Sequence, residues 1–158
     1  MPDITYRRAT PTDAEAIADV IREVVAEPNP VAFDHAWTVE EVARWLQRLG
    51  DAGAIFVALT GGQAAGLAGG KVAGFGSLDF DTQAPDTATL GVWLRPAFRR
   101  RGIATTLAEY LLEHAREHGF RRIVGRLPDN NAAALSFLSS IGGLVPIINP
   151  EMRFELPL

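Results

Sequence analysis

The chain has 158 residues, 47% of them hydrophobic and 22% charged, which is typical of a folded domain with a substantial core. It contains no cysteine, which excludes disulfides, thiolate metal sites and a cysteine nucleophile, and we expect no bound metal. The formal net charge of −4 argues against a general nucleic-acid binder, and no apolar run is long enough to span a membrane. The amino-terminal segment lacks the apolar stretch of a secretory signal, so we expect a cytoplasmic protein.

The amino-terminal segment predicts a strand followed by an amphipathic helix. Polar and apolar residues alternate over residues 4–8, as in a half-buried strand. Thr12 or Asp13 is expected to cap the helix that follows. Its apolar face repeats at helical spacing and comprises Ile17, Val20, Ile21, Val24 and Val25.

A second helix is predicted near residue 40. Thr38 and Glu41 have the spacing of a capping box, and the helix should end near Gly50. The loop before it contains Asp34 and His35. These two residues are interpreted either as surface residues or as part of a substrate site.

The middle of the chain predicts three strands. They cover residues 54–59, 72–80 and 89–94, and residues 60–71 form a glycine-rich connection between the first two. Glycines within 72–80 indicate a bulge or a close backbone approach. Residues 81–86 are polar and are expected to form a turn.

A basic turn, Phe-Arg-Arg-Arg-Gly at residues 98–102, joins the third of these strands to a long helix. The helix has an apolar face and should end at Gly119 in a left-handed conformation. The first turn of a helix has unpaired N–H groups and a positive dipole end, and Gly102 would let a ligand approach the backbone. Ala104 keeps the next turn small. The pattern therefore indicates a diphosphate site; the alternative is a solvated basic turn that caps the helix.

The carboxy-terminal part predicts a strand over 120–127 and a helix over 132–141, with Asn131 as its cap. Two further strands are expected over 144–148 and 152–156.

Two motifs resemble those of the GNAT acetyltransferase superfamily. The spacing Arg99-x-x-Gly102-x-Ala104 is similar to the family's (Q/R)-x-x-G-x-(G/A) signature. The segment Asn131-x-x-Ala134-x-x-Phe137-Leu138-x-x-x-Gly142 resembles the second motif, in which an asparagine precedes a helix along the coenzyme cleft.

The resemblance covers residues 4–156 and implies a fold. We expect an α/β (α+β) domain over residues 1–158, with a mixed, mostly antiparallel sheet of about seven strands flanked by about four helices. Members of the family are often dimers, so a homodimer is left open.

The resemblance also implies an activity, the transfer of an acetyl group from acetyl-coenzyme A to an amine. The strands over 89–94 and 120–127 would splay apart to hold the pantetheine arm, with backbone groups of the first strand bonded to it. The expected coenzyme-binding residues lie in the strand, the basic turn and the second motif: Val92, Trp93, Leu94, Arg99, Arg100, Arg101, Gly102, Ile103, Ala104, Thr105, Asn131 and Phe137.

The sequence departs from the family at two positions. Thr89 stands where many relatives have a glutamate, and Leu138 stands where many have a tyrosine that protonates the leaving thiolate. Candidates for the proton acceptor are Asp34, His35, Asp79, Asp81 and Asp86, of which Asp79 is favoured.

The acceptor is expected to be a small molecule, an amino acid or a protein amino group. The alternative function is a non-catalytic sensing or interaction domain that binds acyl-coenzyme A.

Overall fold

The computed structural model describes residues 4–26, 35–60, 71–98, 102–126 and 153–157. The predicted helix over 132–141, the strand over 144–148 and the glycine-rich connection lie outside these residues.

The described strands form one sheet of six in the order β1-β2-β3-β4-β5-β6. The pair β4–β5 is parallel and the other neighbours are antiparallel, which confirms a mixed, mostly antiparallel sheet. The strands are β1 (Ile4–Arg8), β2 (Ala54–Thr60), β3 (Val72–Asp81), β4 (Ala84–Leu94), β5 (Arg122–Arg126) and β6 (Arg153–Pro157). The α-helices are α1 (Ala14–Val25), α2 (Val39–Leu49) and α3 (Ile103–Glu117), with 3-10 turns at Pro11–Asp13 and Pro96–Phe98.

Helix α2 begins with the predicted capping box. The hydroxyl of Thr38 accepts from the Glu41 amide, and the Glu41 carboxylate accepts from the Thr38 amide, both at 3.1 Å. Asp13 is the N-cap residue of α1, one of the two predicted, but its side chain makes no cap bond. Its carboxylate instead accepts two hydrogen bonds from Arg7 of β1, at 2.7 and 2.8 Å.

Strand β4 begins earlier than predicted, at Ala84 rather than Thr89, and the polar turn before it shrinks to Thr82–Gln83. Pro85 obscured this start, since proline is excluded from a regular internal strand. The register between β3 and β4 shifts after Phe80, and this irregularity accommodates the proline.

The two faces of the sheet carry separate cores. Alternate residues of β2 point to opposite sides, so Ile55 and Val57 pack with α1 and α2, whereas Ala54 and Ala58 pack on the α3 side. Helix α3 buries the predicted face of Ile103, Leu107, Leu111 and Ala115.

Glycines in β3 let its neighbours approach closely. A Cβ at Gly76 would lie 2.6 Å from Leu111 of α3, and one at Gly74 would lie 2.5 Å from the Trp93 carbonyl of β4. The predicted close approach is therefore confirmed, and it is made by the protein's own helix and neighbouring strand.

Candidate active site

Strands β4 and β5 stop pairing halfway along β4. Their register pairs begin at Thr87↔Arg122 and end at Thr89↔Val124. Beyond Thr89, β4 follows β3 up to the pair Gly74↔Leu94, while β5 follows β6. We call this separation the fork; its closed end is Thr89, the last residue paired with β5, and what we call its wide end is Leu94, the end of β4.

The predicted arm-binding residues lie on β4 beyond the point where the fork closes. Leu94 is buried and Val92 half-buried on the α3 side of the sheet. The half-buried Trp93 lies on the other side, where its ring is 5.1 Å from that of Phe75. This ring covers Gly91, since a Cβ there would come within 2.1 Å of it. Binding of a ligand by this backbone stays a prediction.

The turn into α3 lies at the wide end of the fork. Gly102 has φ +80° and is the N-terminal cap residue of the helix, which makes no side-chain cap bond there. A Cβ on Gly102 would meet no protein atom within 4 Å. The first-turn residues are the buried Ile103 and the half-buried Ala104 and Thr105. Their amide N–H groups come before the first i→i−4 hydrogen bond of the helix, so they can donate hydrogen bonds to an anion.

The three arginines of the turn, Arg99, Arg100 and Arg101, lie outside the described residues, as do Asn131 and Phe137. Sequence analysis missed Arg95, which holds the start of the turn. Its Nε donates to the Val72 carbonyl at 2.7 Å, its guanidinium pairs with Glu23 of α1, and its amide donates to the Ala73 carbonyl at 2.9 Å. Arg95 therefore ties the end of β4 to both β3 and α1.

A cleft of ≈ 530 Å³ opens beside the closed end of the fork. It is lined by Arg48, Asp79, Phe80, Asp81, Thr82 and Thr89. Asp79 is the register partner of Thr89, so the candidate proton acceptor lies directly across from the position where many GNAT relatives carry glutamate. The cleft thus adjoins the fork through Thr89.

Asp79 is held by donors on both of its carboxylate oxygens. Oδ1 accepts from Arg48 Nη1 at 2.8 Å and from the Phe80 amide at 2.7 Å. Oδ2 accepts from Arg48 Nη2 at 2.7 Å and from Trp45 Nε1 at 3.0 Å. Sequence analysis gave neither Arg48 nor Trp45 a role in the site.

Burial raises the pKa of Asp79, but the hydrogen bonds from Arg48, the Phe80 amide and Trp45 outweigh it, so the pKa lies below its usual value. A carboxylate with a lowered pKa is a weaker base. The role of Asp79 as proton acceptor therefore stays a prediction, and its contacts weigh against it.

The other candidate proton acceptors are dispersed. Asp81 lines the cleft and accepts from the Gln83 amide at 2.9 Å. The carboxylate of Asp86 accepts from the Thr87 hydroxyl at 3.2 Å. His35 Nε2 lies 3.4 Å from Glu41, and Asp34 lies outside the described residues.

A row of aromatic rings leads from the loop before α2 to the fork. Trp37 lies 5.2 Å from Trp45, Trp45 lies 6.2 Å from Phe75, and Phe75 contacts Trp93, all between ring centroids. The row runs along the α1–α2 side of the sheet, the side on which Trp45 reaches Asp79.

The described ranges show neither a metal-binding cluster nor a membrane-spanning helix. They contain no group of three or more His, Cys, Asp or Glu residues placed to hold a metal ion. Among their helices, none has the length and apolar character needed to cross a membrane.

The chain matches one family model and many solved structures. Residues 18–142 match the model of the acetyltransferase (GNAT) family. No curated protein sequence matches the chain.

Solved acetyltransferase structures share the fold over nearly the whole chain. The putative acetyltransferase yncA from Salmonella typhimurium, with its cofactor acetyl-CoA, has a TM-score of 0.78 and 20% identity, covering 98% of this chain and 93% of that one. A putative acetyltransferase from Acinetobacter baylyi has a TM-score of 0.80 and 17% identity, covering 100% and 93%. A phosphinothricin acetyltransferase from Sinorhizobium meliloti, in complex with AcCoA, has a TM-score of 0.79 and 19% identity, covering 98% and 88%. At such identities the likeness establishes the fold.

Proposed function

The chain belongs to the acetyltransferase (GNAT) family, and from this membership we propose that it transfers the acetyl group of acetyl-coenzyme A to a primary amine. The observation that carries the proposal is the fork between β4 and β5, which has the anion-accepting start of α3 at its wide end and the cleft at its closed end. A coenzyme laid along the fork would place its phosphates and its thioester at these two ends.

The protein supplies orientation for this reaction, and the coenzyme supplies the activated acyl group. The diphosphate would lie against the first-turn amides of α3 and Gly102, with Arg99, Arg100 and Arg101 as counter-charges. The pantetheine arm would bond to the backbone of Val92, Trp93 and Leu94. We also propose a single domain over 1–158, because β1 and β6 from the two ends of the chain share one sheet.

The bond changes are those of direct aminolysis. The amine nitrogen attacks the thioester carbonyl carbon, the carbon–sulfur bond breaks, and the proton lost by nitrogen balances the one gained by the thiolate. An alkyl amine with a pKa of about 10.4 is mostly protonated at neutral pH, so a proton must leave before attack. We propose that water in the cleft removes it, since both oxygens of Asp79 are already bonded.

The proposal is tested by calorimetric titration of acetyl-coenzyme A into the wild type and two glycine variants. Gly102 and Gly119 lie at opposite ends of α3, both have φ +80°, and a Cβ at either position meets no protein atom within 4 Å. Gly102→Leu and Gly119→Leu therefore impose the same backbone strain, of about 1–2 kcal/mol. Only the first places a side chain where the diphosphate is expected.

We expect micromolar binding by the wild type and by Gly119→Leu, and a loss of at least about a hundredfold in Gly102→Leu, because its side chain fills the anion site. Equal binding by both variants would refute the coenzyme site. Thiol release with L-lysine, putrescine, benzylamine or a short peptide would then establish transfer. Coenzyme binding without transfer to any of these amines would instead favour the non-catalytic acyl-coenzyme A binder, which the threonine at position 89 suggests.

A further inference from the structure

Asp79 joins helix α2 to the sheet inside the candidate cleft. Two of its donors, Trp45 and Arg48, lie one turn apart on α2 and therefore face the same way. The third donor is the amide of Phe80, on the same strand as Asp79. The carboxylate is thus the point at which the end of α2 is fastened to β3.

The fastening lies close to the reacting end of the fork. Asp79 is opposite Thr89, where the fork closes, and both residues line the cleft together with Arg48. The lining of the cleft therefore includes Arg48 of α2 as well as residues of β3 and β4. The bonds from Arg48 to Asp79 join these two parts of the lining.

The same bonds orient the aromatic row. Trp45 donates to Asp79 through Nε1, and its ring packs edge-on against Phe75, whose ring contacts Trp93 on β4. A shift of Trp45 would consequently reach the strand that borders the fork.

We propose that Asp79 is a positioning residue: it fastens Arg48 and Trp45 of α2 to the sheet and so fixes the width of the acceptor cleft beside Thr89. The inference rests on the proposed function, because it takes the cleft to be the place where the amine binds. In this proposal the carboxylate of Asp79 positions the residues of the cleft, and water accepts the proton of the amine.

The contacts weigh against proton transfer by this carboxylate. Protonating Asp79 would remove the negative charge that makes its two bonds to Arg48 charge-assisted, which are the stronger kind of hydrogen bond. A residue that fastens α2 through its charge therefore loses part of that hold whenever it takes up a proton.

The test uses Asp79→Asn, Arg48→Met and the double variant. If Asp79 acts only through its fastening to α2, both single variants lose the ion pair between Arg48 and Asp79, and the double variant is no worse than Asp79→Asn alone. We expect each to raise KM for the fastest amine of the panel by about tenfold, which corresponds to about 1.4 kcal/mol. The pH profile of kcat should keep its shape, and the affinity for acetyl-coenzyme A should stay within about twofold of wild type.

Tryptophan fluorescence provides a readout that needs no acceptor. The chain has three tryptophans, and all of them (Trp37, Trp45 and Trp93) belong to the aromatic row. In both single variants we expect a red-shifted emission and stronger quenching by acrylamide. Asp13→Asn is the matched control, since it breaks another Arg–Asp pair, outside the residues that line the cleft, and should leave the emission unchanged.

Two results would overturn the inference. A large loss of kcat in Asp79→Asn with loss of one limb of its pH profile, while Arg48→Met keeps both, would identify Asp79 as the proton acceptor. Unchanged emission and KM in both variants would show that Asp79 positions nothing. A wild type that binds no acetyl-coenzyme A would end the proposed function instead, and the fluorescence would still report whether Asp79 fastens α2.

Discussion

Two arginine–aspartate pairs in this protein have nearly the same chemistry and different surroundings. Arg7 donates two hydrogen bonds to Asp13, of 2.7 and 2.8 Å, and Arg48 donates two bonds of the same lengths to Asp79. Each carboxylate also accepts from a backbone amide, that of Thr10 or of Phe80, at 2.7 Å. Bond geometry alone does not distinguish the two pairs.

Their positions do. The side chain of Asp13 is 8% exposed and joins β1 to the start of α1, whereas that of Asp79 is 28% exposed and lines the cleft. The comparison teaches that the function of an ion pair depends on which elements it joins. The first pair should matter for stability, and the second for the shape of the cleft.

The largest expected effect on stability is that of Asp13→Asn. The variant removes the charge of the nearly buried Asp13 and leaves Arg7, whose side chain is 39% exposed, without its counter-ion, so we expect the free energy of unfolding to fall by about 2 kcal/mol. Urea denaturation measures the loss, and Asp79→Asn is the matched comparison, with a smaller loss because its pair is more exposed. Equal losses in the two variants, or a raised acceptor KM in Asp13→Asn, would erase the distinction between the pairs.

The second prediction concerns the loss of stability at acidic pH. Burial raises the pKa of Asp13, but its bonds to Arg7 and Thr10 outweigh burial, and the pKa is lowered, as is that of Asp79. The unfolded chain therefore takes up protons at these positions first, near its ordinary pKa of about 3.9, and their contribution is lost as pH falls through the lower folded values.

Urea midpoints measured from pH 7 down to pH 3 would follow this loss. The difference in stability between wild type and Asp13→Asn should narrow as the pH falls below about 4, because the unfolded wild-type chain then binds a proton at Asp13 that the folded protein, with its lowered pKa, does not yet bind. A difference that stays constant over this range would contradict a lowered pKa. The difference in stability between wild type and Asp79→Asn is expected to narrow in the same way, from a smaller value at pH 7.

The smallest expected effects are those of lysine in place of either arginine. Lysine keeps the charge and cannot form the two parallel bonds, so we expect Arg7→Lys to lose about 1 kcal/mol and Arg48→Lys about 0.5 kcal/mol. Thermal unfolding of the two variants measures the order. A greater loss in Arg48→Lys would show that the cleft pair contributes more to stability than the pair at β1.

Much of the fold could be predicted from local sequence patterns, because capping and turn signals depend only on residues that are close together in the chain. The capping box at Thr38 and Glu41 and the left-handed Gly119 are where the sequence predicts them. Each depends on backbone groups adjacent in the chain. The early start of β4 was missed because its proline is tolerated only where the strand pairing is irregular, and pairing is a non-local property.

The candidate site is less predictable for the same reason. Asp79 was singled out as a polar residue near a strand end, but Arg48 is 31 positions away and its spacing carries no signal for the pair. The basic turn, by contrast, was recognisable because its arginines and Gly102 are consecutive. Sequence reasoning finds sites made by one loop more readily than sites assembled by packing.

Gly74 shows how the width of the fork can depend on a residue that faces no ligand. It lies opposite Leu94 at the wide end, where β4 has left β5 and is paired in register with β3. A side chain at Gly74 would collide with backbone atoms of β4, 2.5 Å from the Trp93 carbonyl and 2.9 Å from the Leu94 Cα. Strand β4 would have to shift away from β3, and the fork borders its other edge. A methyl group on the far side of β4 would thus act as a wedge, and a substitution there could change which acyl carriers fit without touching any of them.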